Sequence, residues 1–224
     1  MTASLSHSKP LPKARLAGLL YLAVIVCGVG GEGLVRGQLF VHGDVTQTAV
    51  NLREAALAFR LSIVADVVMA LCDVALAVLL YALLEPVNQL LSRMAMAFRL
   101  VQAAILGANL VNLEQAITLA SAPTEASQLS VTRLLQAHAA GYDFGLFFFG
   151  INCLLMARLI IRSTFVPSAL GWMLTAAAVV YLAGSTLRVL APAALDVFAP
   201  AYAIPLLAEL AFCVWLLVRA RADA

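Results

Sequence analysis

The 224-residue chain is 63% hydrophobic and only 12% charged, with a mean hydropathy of +0.98. Soluble domains are roughly 45–50% apolar and about 25% charged, so this chain has too few polar side chains to cover a water-soluble globule. The formal net charge is +2 and the basic residues are spread along the chain, which argues against a nucleic-acid partner. The composition predicts an integral membrane protein whose main partner is the lipid bilayer.

Six apolar stretches are each long enough to cross a bilayer core of about 30 Å, which takes roughly 20 helical residues. Runs of Ala and Leu of this length do not alternate as barrel strands do, so the stretches predict helices. We therefore predict an all-α membrane bundle over residues 15–219, between cytoplasmic tails at residues 1–14 and 220–224. The six predicted spans cover residues 15–36, 58–82, 95–119, 136–161, 168–190 and 199–219.

The longest connection, residues 37–57, contains a turn signal at Gly43 and Asp44. Residues 46–58 then have helical character. The sequence leaves two alternatives open for them. They either lead directly into the second span or form a separate short helix at the membrane interface.

The lysines and arginines predict an orientation. An even number of spans places both termini on one side, and cytoplasmic loops are enriched in Lys and Arg. Nine basic residues belong to the side of the termini and five to the other, which predicts cytoplasmic termini. The nine are Lys9, Lys13, Arg15, Arg93, Arg99, Arg158, Arg162, Arg219 and Arg221, and the five are Arg36, Arg53, Arg60, Arg133 and Arg188.

The sequence offers little evidence for catalysis or for a bound metal or cofactor. The four cysteines all fall in apolar stretches and make no metal-ligand spacing, so we interpret them as packing residues. No GxSxG, HExxH or phosphate-loop motif is present, and no nucleophile is paired with a base. We therefore expect no cofactor and no metal, and the absence of catalytic motifs argues against an enzyme.

Asp66 and Asp73 are the first candidate site residues, because carboxylates at bilayer depth are unfavourable unless paired or hydrated. Seven residues turn a helix through about 700°, so both project from nearly the same face of the second span. The third span begins with the same AFRL tetrapeptide as the second, which places Arg99 within side-chain reach of Asp73. We predict an Asp73–Arg99 ion pair and, as a secondary expectation, an Asp66–Asn112 contact.

Other polar residues extend this candidate site. Glu209 lies near the middle of the sixth span, one turn after Pro205, while Gln102 and Asn109 lie near the helix face of Arg99. Such positions either bind a ligand or hold helices together, and the sequence does not decide between these roles. The binding candidates are Asp66, Asp73, Arg99, Gln102, Asn109 and Glu209.

The fourth span contributes a polar face of its own. His138, Tyr142 and Asn152 are spaced so that they share one side of the helix, whereas Asp143 points elsewhere. We interpret His138 first as an interfacial histidine with satisfied hydrogen bonds rather than as a ligand. The second-tier polar residues are Arg60, Asn112, His138, Tyr142 and Asn152.

Glycines in the first and fourth spans fit the small-xxx-small pattern of closely packed membrane helices, as Gly33-xxx-Gly37 and Gly141-xxx-Gly145. The pattern is common in membrane helices and therefore unspecific. It favours buried positions for both spans. It also offers helix faces through which the chain could form a homo-oligomer.

Five segments resemble a bacterial membrane-protein group, the domain-of-unknown-function 4386 family. They are ARLAGLLYLAVIV, FRLSIVADVVMALCDVALAVLLYALLEPVN, AFRLVQAAILGANLVNL, VPSALGWMLTAAAVVYL and PLLAELAFCVWLLV, and together they extend over roughly residues 14–219. The resemblance implies a multi-pass protein of the bacterial cytoplasmic membrane whose activity is unassigned. The polar positions that recur in the family match Arg60, Asp66, Asp73, Arg99 and Glu209.

Two function classes follow from these observations. In the first, a polar site between the helices binds or moves a small solute or an ion. In the second, the chain is a structural or accessory membrane protein whose buried charges only brace the bundle. No inverted repeat of three-helix halves is visible, which argues against a standard secondary transporter.

Overall fold

The computed structural model describes residues 11–41, 43–122 and 124–219. The described residues are mainly helical and contain no β-strand, as predicted. Of the predicted tails, only residues 11–14 and no residue of 220–224 are described, and Lys9, Pro123 and Arg221 also lie outside the described residues. Six helices are long and apolar enough to cross a membrane. They are span one, Lys13–Leu39; span two, Ala56–Leu84; span three, Gln89–Leu119; span four, Glu125–Arg162; span five, Ser168–Leu190; and span six, Pro192–Val218.

Several spans begin earlier than hydropathy predicts, because capping side chains rather than apolar runs decide where the helices begin. Span three begins after Asn88, whose side-chain oxygen accepts a hydrogen bond from the Leu91 amide at 2.9 Å. Span four begins after Thr124, whose hydroxyl accepts one from the Ser127 amide at 3.2 Å. The polar first turns continue these helices beyond the apolar segments.

Span one changes its helical geometry near its end. It is α-helical over Leu11–Val29, π-helical over Gly30–Arg36, and α-helical again over Gly37–Leu39. The π-helical segment is rich in glycine, which lacks the Cβ atom that would crowd an irregular turn. The wider turn directs the Arg36 side chain into the bundle, where it is buried.

The connection between spans one and two contains a separate short helix, Val45–Glu54. Gly43 adopts a φ of 81°, in the left-handed region that favours glycine. The Asp44 side chain caps the helix by accepting a hydrogen bond from the Gln47 amide at 2.8 Å. The predicted turn is therefore confirmed, and of the two alternatives for residues 46–58 the separate helix is the one observed.

The six spans form a closed ring. Each span packs against its neighbours in the chain, and spans one and six pack against each other. Because consecutive spans run in opposite directions, span one begins on the same face of the bundle as the connections from span two to three and from span four to five. We call this the N-terminal face and the other the opposite face.

An apolar cluster lies toward each face of the bundle. The larger, with Leu76, Leu80 and Phe212, lies toward the N-terminal face. The smaller, with Phe59 and Leu113, lies toward the opposite face. Many large apolar side chains are exposed on the outside of the spans, as expected of a surface that contacts lipid. The polar side chains are therefore concentrated between the two clusters.

The glycines of span four pack against span three, in agreement with the predicted buried position. A Cβ atom on Gly141 would collide with the Asn109 side chain, and one on Gly145 would lie 3.3 Å from Leu106 Cδ2. A Cβ atom on Gly33 in span one would meet no atom within 4 Å. Gly33 and Gly37 are both exposed, so the predicted buried position is wrong for this pattern in span one, and the predicted homo-oligomer stays a prediction.

Candidate functional site

A cavity of about 450 Å³ lies at the centre of the ring and is lined by residues from all six spans. Its walls combine aliphatic side chains with a set of polar ones, and none of the lining residues is a lysine or an arginine. The polar lining residues are Glu32, Asp73, Gln102, Tyr142, Asp143, Tyr181, Tyr202 and Glu209. Of the six predicted binding candidates, the cavity therefore contains Asp73, Gln102 and Glu209.

The predicted ion pair between Asp73 and Arg99 is present. Asp73 Oδ1 accepts hydrogen bonds from Arg99 Nη2 at 2.5 Å and Nε at 2.9 Å, and both side chains are buried. The guanidinium also lies over two rings, 5.2 Å from the centroid of Tyr21 and 5.1 Å from that of Phe149. Asp73 lines the cavity, and its Oδ2 is a buried atom with no hydrogen-bond partner among the described residues.

Asp66 makes a different contact from the expected one. The expectation of an Asp66–Asn112 contact was wrong, because Asn112 donates to Asn109 Oδ1 at 2.8 Å. Asp66 Oδ2 instead pairs with Arg36 Nη1 of span one at 2.7 Å. The Arg36 guanidinium also contacts Glu32, with Nε 2.9 Å from Oε2. Arg36 was predicted only as an orientation signal, and its buried role was not predicted.

Glu209 differs from the other buried carboxylates. Its two oxygens accept hydrogen bonds from Tyr21 OH at 3.2 Å and from the hydroxyl of Tyr181. Among the described residues no Lys, Arg or His nitrogen lies within 4.0 Å of it, whereas Asp66, Asp73 and Asp143 each pair with an arginine. Glu209 thus presents an acidic group that tyrosine hydroxyls orient but no cation neutralises at contact distance.

The binding candidate Asn109 and the second-tier residue Asn152 hold spans three and four together instead of lining the cavity. Asn109 donates to the His138 carbonyl at 2.7 Å, and Asn152 donates to the Ala95 carbonyl at 2.7 Å. The ring nitrogen Nδ1 of His138 lies 3.4 Å from the Asn109 carbonyl. Tyr142 is the member of the predicted polar face of span four that does line the cavity.

Arg60 is exposed on the outside of span two, although its recurrence in the family made it a second-tier candidate. The described contacts include no ion pair of Arg60. Its position four residues after the beginning of span two at Ala56 places it near the opposite face. It lies outside the central site.

Asp143 and Arg188 form an ion pair that the sequence analysis missed. Asp143 was predicted to point away from the site, but it is buried and lines the central cavity. Span four packs against both span three and span five, so a side chain off its main polar face can still point into the bundle. The signal that could have revealed the pair was the presence of an ionisable residue in each of two adjacent apolar spans.

A second cavity of about 400 Å³ lies toward the opposite face. Its lining includes Glu32, Arg36, His138, Arg188 and Asp196. Glu32 lines both cavities, while the Asp143–Arg188 pair has its acid in the central cavity and its base in the second one. Two ion pairs, Glu32–Arg36 and Asp143–Arg188, therefore stand where the two cavities approach each other.

Comparison with known proteins supplies a family but no described activity. The model of the family described as a domain of unknown function (DUF4386) matches residues 16–220. A relative from Archaeoglobus fulgidus, named an uncharacterized protein, is 28% identical over 165 residues, which cover 71% of this chain and 84% of the relative. Relatives are therefore not confined to bacteria. No solved structure matches the chain.

Proposed function

The chain belongs to the DUF4386 family, and we propose that it binds a small solute in its central cavity. Ligand cavities in proteins commonly measure about 300–1,000 Å³ and combine apolar walls with a few polar groups. The central cavity, at about 450 Å³, has both properties. Its size suits a small organic molecule better than a bare ion, which needs ligand atoms on all sides at short distance.

The observation that carries this proposal is a pair of buried acceptor atoms without a partner. Asp73 Oδ2 and Gln102 Oε1 make no hydrogen bond, and both residues line the cavity. A buried polar atom left unsatisfied is unfavourable by about 1–3 kcal/mol. A solute that donates hydrogen bonds to these atoms removes that penalty, and its removal favours binding in the cavity.

The alternative, a protein whose buried charges only brace the bundle, accounts for part of the polar set. Arg99, Asn109 and Asn152 each join two spans through hydrogen bonds. Bracing does not account for Gln102, whose side-chain oxygen contacts no polar group although the residue is buried. The bracing residues fix the positions of the helices that form the cavity walls. We infer that the remaining polar residues contact the bound solute.

The proposal predicts a thermal shift in the purified, detergent-solubilised chain. A bound solute at 100 times its Kd stabilises the folded state by about 2.7 kcal/mol, and each kcal/mol raises Tm by about 2–4 °C in a chain of this size. In a panel of neutral, cationic and anionic small molecules, we expect at least one to raise Tm by several degrees.

Two variants locate the effect. Gln102→Leu should fold and lose the shift, because it removes a cavity-side polar group without disturbing an observed hydrogen bond. Gln115→Leu, on the exposed side of the same span, should keep it. A panel in which no compound raises Tm, or a full shift in Gln102→Leu, would contradict binding in the central cavity.

The orientation belongs to the same proposal. Lys13, Arg93, Arg158 and Arg162 are exposed near the N-terminal face, which suits a cytoplasmic side under the positive-inside rule. We therefore place both termini in the cytoplasm and the chain in a cytoplasmic membrane.

A further inference from the structure

We propose that the solute is an organic ammonium ion, a protonated amine that binds between Glu209 and Asp73. This inference rests on the proposed function, since it names the chemical class of the molecule in the central cavity. Three independent features of the cavity support it: the charge balance, the unpartnered acceptors and the aromatic rings.

The charge balance around the cavity is negative. Five carboxylates line the cavity or pair beside it, and three arginines face them, so formal charges leave an excess of two negative charges. The carboxylates are Glu32, Asp66, Asp73, Asp143 and Glu209, and the arginines are Arg36, Arg99 and Arg188. In an environment of low dielectric such an excess attracts a cation and repels an anion.

Each of the three unpartnered buried atoms of the lining residues can accept a hydrogen bond: Asp73 Oδ2, Gln102 Oε1 and the Tyr202 hydroxyl, which can also donate. Asp73 is 5% exposed and Gln102 is 7% exposed, and Asp73 Oδ2 and Gln102 Oε1 both lack a donor. Carboxylate oxygens accept hydrogen bonds and cannot donate them when ionised. The complementary ligand therefore carries N–H groups, and a primary or secondary ammonium supplies both the charge and the donors.

Aromatic rings complete the site. Phe149, Tyr142, Tyr181 and Tyr202 line the cavity, and Phe149 packs edge-to-face against Tyr181 with centroids 5.3 Å apart. The face of an aromatic ring attracts cations. The Arg99 guanidinium already lies 5.1 Å from the Phe149 centroid, so this group of rings holds a cation within the protein itself. The aliphatic walls, with Leu106, Leu146 and Leu206, leave room for an apolar body attached to the ammonium group.

The test compares three probes of similar size and different charge: phenethylamine, 2-phenylethanol and 3-phenylpropanoate. Each is titrated calorimetrically into the full-length chain in detergent micelles at neutral pH. We expect phenethylamine to bind at least about tenfold more tightly than the alcohol, since a hydrogen bond to a charged group contributes more than a neutral one. The carboxylate should show no binding.

Glu209→Gln separates recognition of charge from recognition of shape. This variant should weaken phenethylamine binding about tenfold or more and leave alcohol binding unchanged. Glu114→Gln is the matched control, because Glu114 lies exposed on span three and contacts only Thr118 at 3.1 Å. Glu114→Gln should change neither the binding of phenethylamine nor the binding of 2-phenylethanol.

The outcomes distinguish this inference from the proposed function. Binding of the alcohol or the carboxylate as tightly as the amine, with sensitivity to Gln102→Leu, would overturn the ammonium ion and leave solute binding standing. Equal amine affinity in Glu209→Gln and the unmodified chain would also overturn it. If none of the three probes binds and no compound of the wider panel raises Tm, both the ammonium ion and the proposed function are overturned. The comparison of amine and alcohol needs no variant, so it decides the matter even where Glu209→Gln does not fold.

Discussion

Arg99 carries a positive charge into the middle of an apolar bundle, and its surroundings compensate that charge from several sides. Asp73 provides two hydrogen bonds, and Tyr21 and Phe149 place ring faces near the guanidinium. The sequence predicts this pair because spans two and three are consecutive and antiparallel, with a short connection. A helical rise of about 1.5 Å per residue then suffices to place both side chains within reach.

Removing either member of this pair leaves the other charge buried and alone. Asp73→Asn and Arg99→Met should each reduce the free energy of unfolding by about 3–5 kcal/mol. The double variant should lose less than the sum, because it leaves no unpaired charge. Chemical unfolding in detergent, followed by circular dichroism, measures all three.

Arg60→Met provides the matched control for the arginine substitution. Arg60 is exposed and makes no ion pair among the described contacts, so this change should stay within about 0.5 kcal/mol. Strict additivity of the Asp73 and Arg99 changes would show that the two side chains do not stabilise the bundle as a pair.

At the scale of single elements, span one shows why the Arg36–Asp66 pair could not be predicted. Face assignments from sequence assume about 100° of rotation per residue, the value for an α-helix. The π-helical segment Gly30–Arg36 has a wider turn, so the direction of Arg36 cannot be calculated from its distance to earlier residues. Asp66 was predicted as a site residue, but its pairing with Arg36 could not be predicted from regular α-helical geometry.

Span four limits the prediction in another way. It packs against two neighbours, so more than one of its faces is buried, and hydropathy alone does not separate them. Tyr142 was predicted on a polar face with His138 and Asn152, and Asp143 was predicted to point elsewhere, but both Tyr142 and Asp143 line the cavity. Glu209 was predicted from its place near the middle of an apolar span, and Gln102 from its place near the helix face of Arg99.

The glycines of span one allow a test of the π-helical segment. A Cβ atom on Gly31 would lie 3.2 Å from Asp66 Oδ1 and 3.3 Å from Arg36 Nη1, inside a buried ion pair. A Cβ atom on Gly30 would meet no atom within 4 Å. Gly30→Ala should therefore be neutral or stabilise by up to about 1 kcal/mol through helix propensity, and Gly31→Ala should destabilise. Thermal unfolding of both variants in one detergent measures the difference.

The comparison has a definite opposite outcome. If Gly31→Ala were as stable as Gly30→Ala, the Arg36–Asp66 pair would have room to shift. That result would contradict close packing of span one against span two at this depth. A gain in stability in both variants would mean that an ordinary helix replaces the segment without loss.

At the scale of the whole molecule, the ring of six spans converts separate polar residues into one site. The cavity takes Glu32 from the first span and Glu209 from the last, which lie far apart in sequence and meet because spans one and six close the ring. The number and positions of the spans follow from hydropathy. Ring closure depends on contacts between helices that are distant in the chain, which local patterns do not encode.

The ring also makes the orientation of the chain testable at two exposed positions on opposite sides. Thr164 lies in the connection between spans four and five on the N-terminal face, and Glu54 ends the short helix on the opposite face. Neither carries a positive charge, so replacing them leaves the distribution of Lys and Arg intact. In a background where all four native cysteines are replaced by alanine, Thr164→Cys and Glu54→Cys each present one exposed thiol.

A maleimide that cannot cross membranes should label Glu54→Cys in intact cells and should label Thr164→Cys only after the cells are opened. The physical reason is the excess of basic residues on the N-terminal face, which favours a cytoplasmic location of that face. The reverse labelling pattern would show that the N-terminal face lies outside the cytoplasm and would contradict the proposed orientation. The second cavity, which lies toward the opposite face and shares Glu32 with the central one, would then lie on the cytoplasmic side.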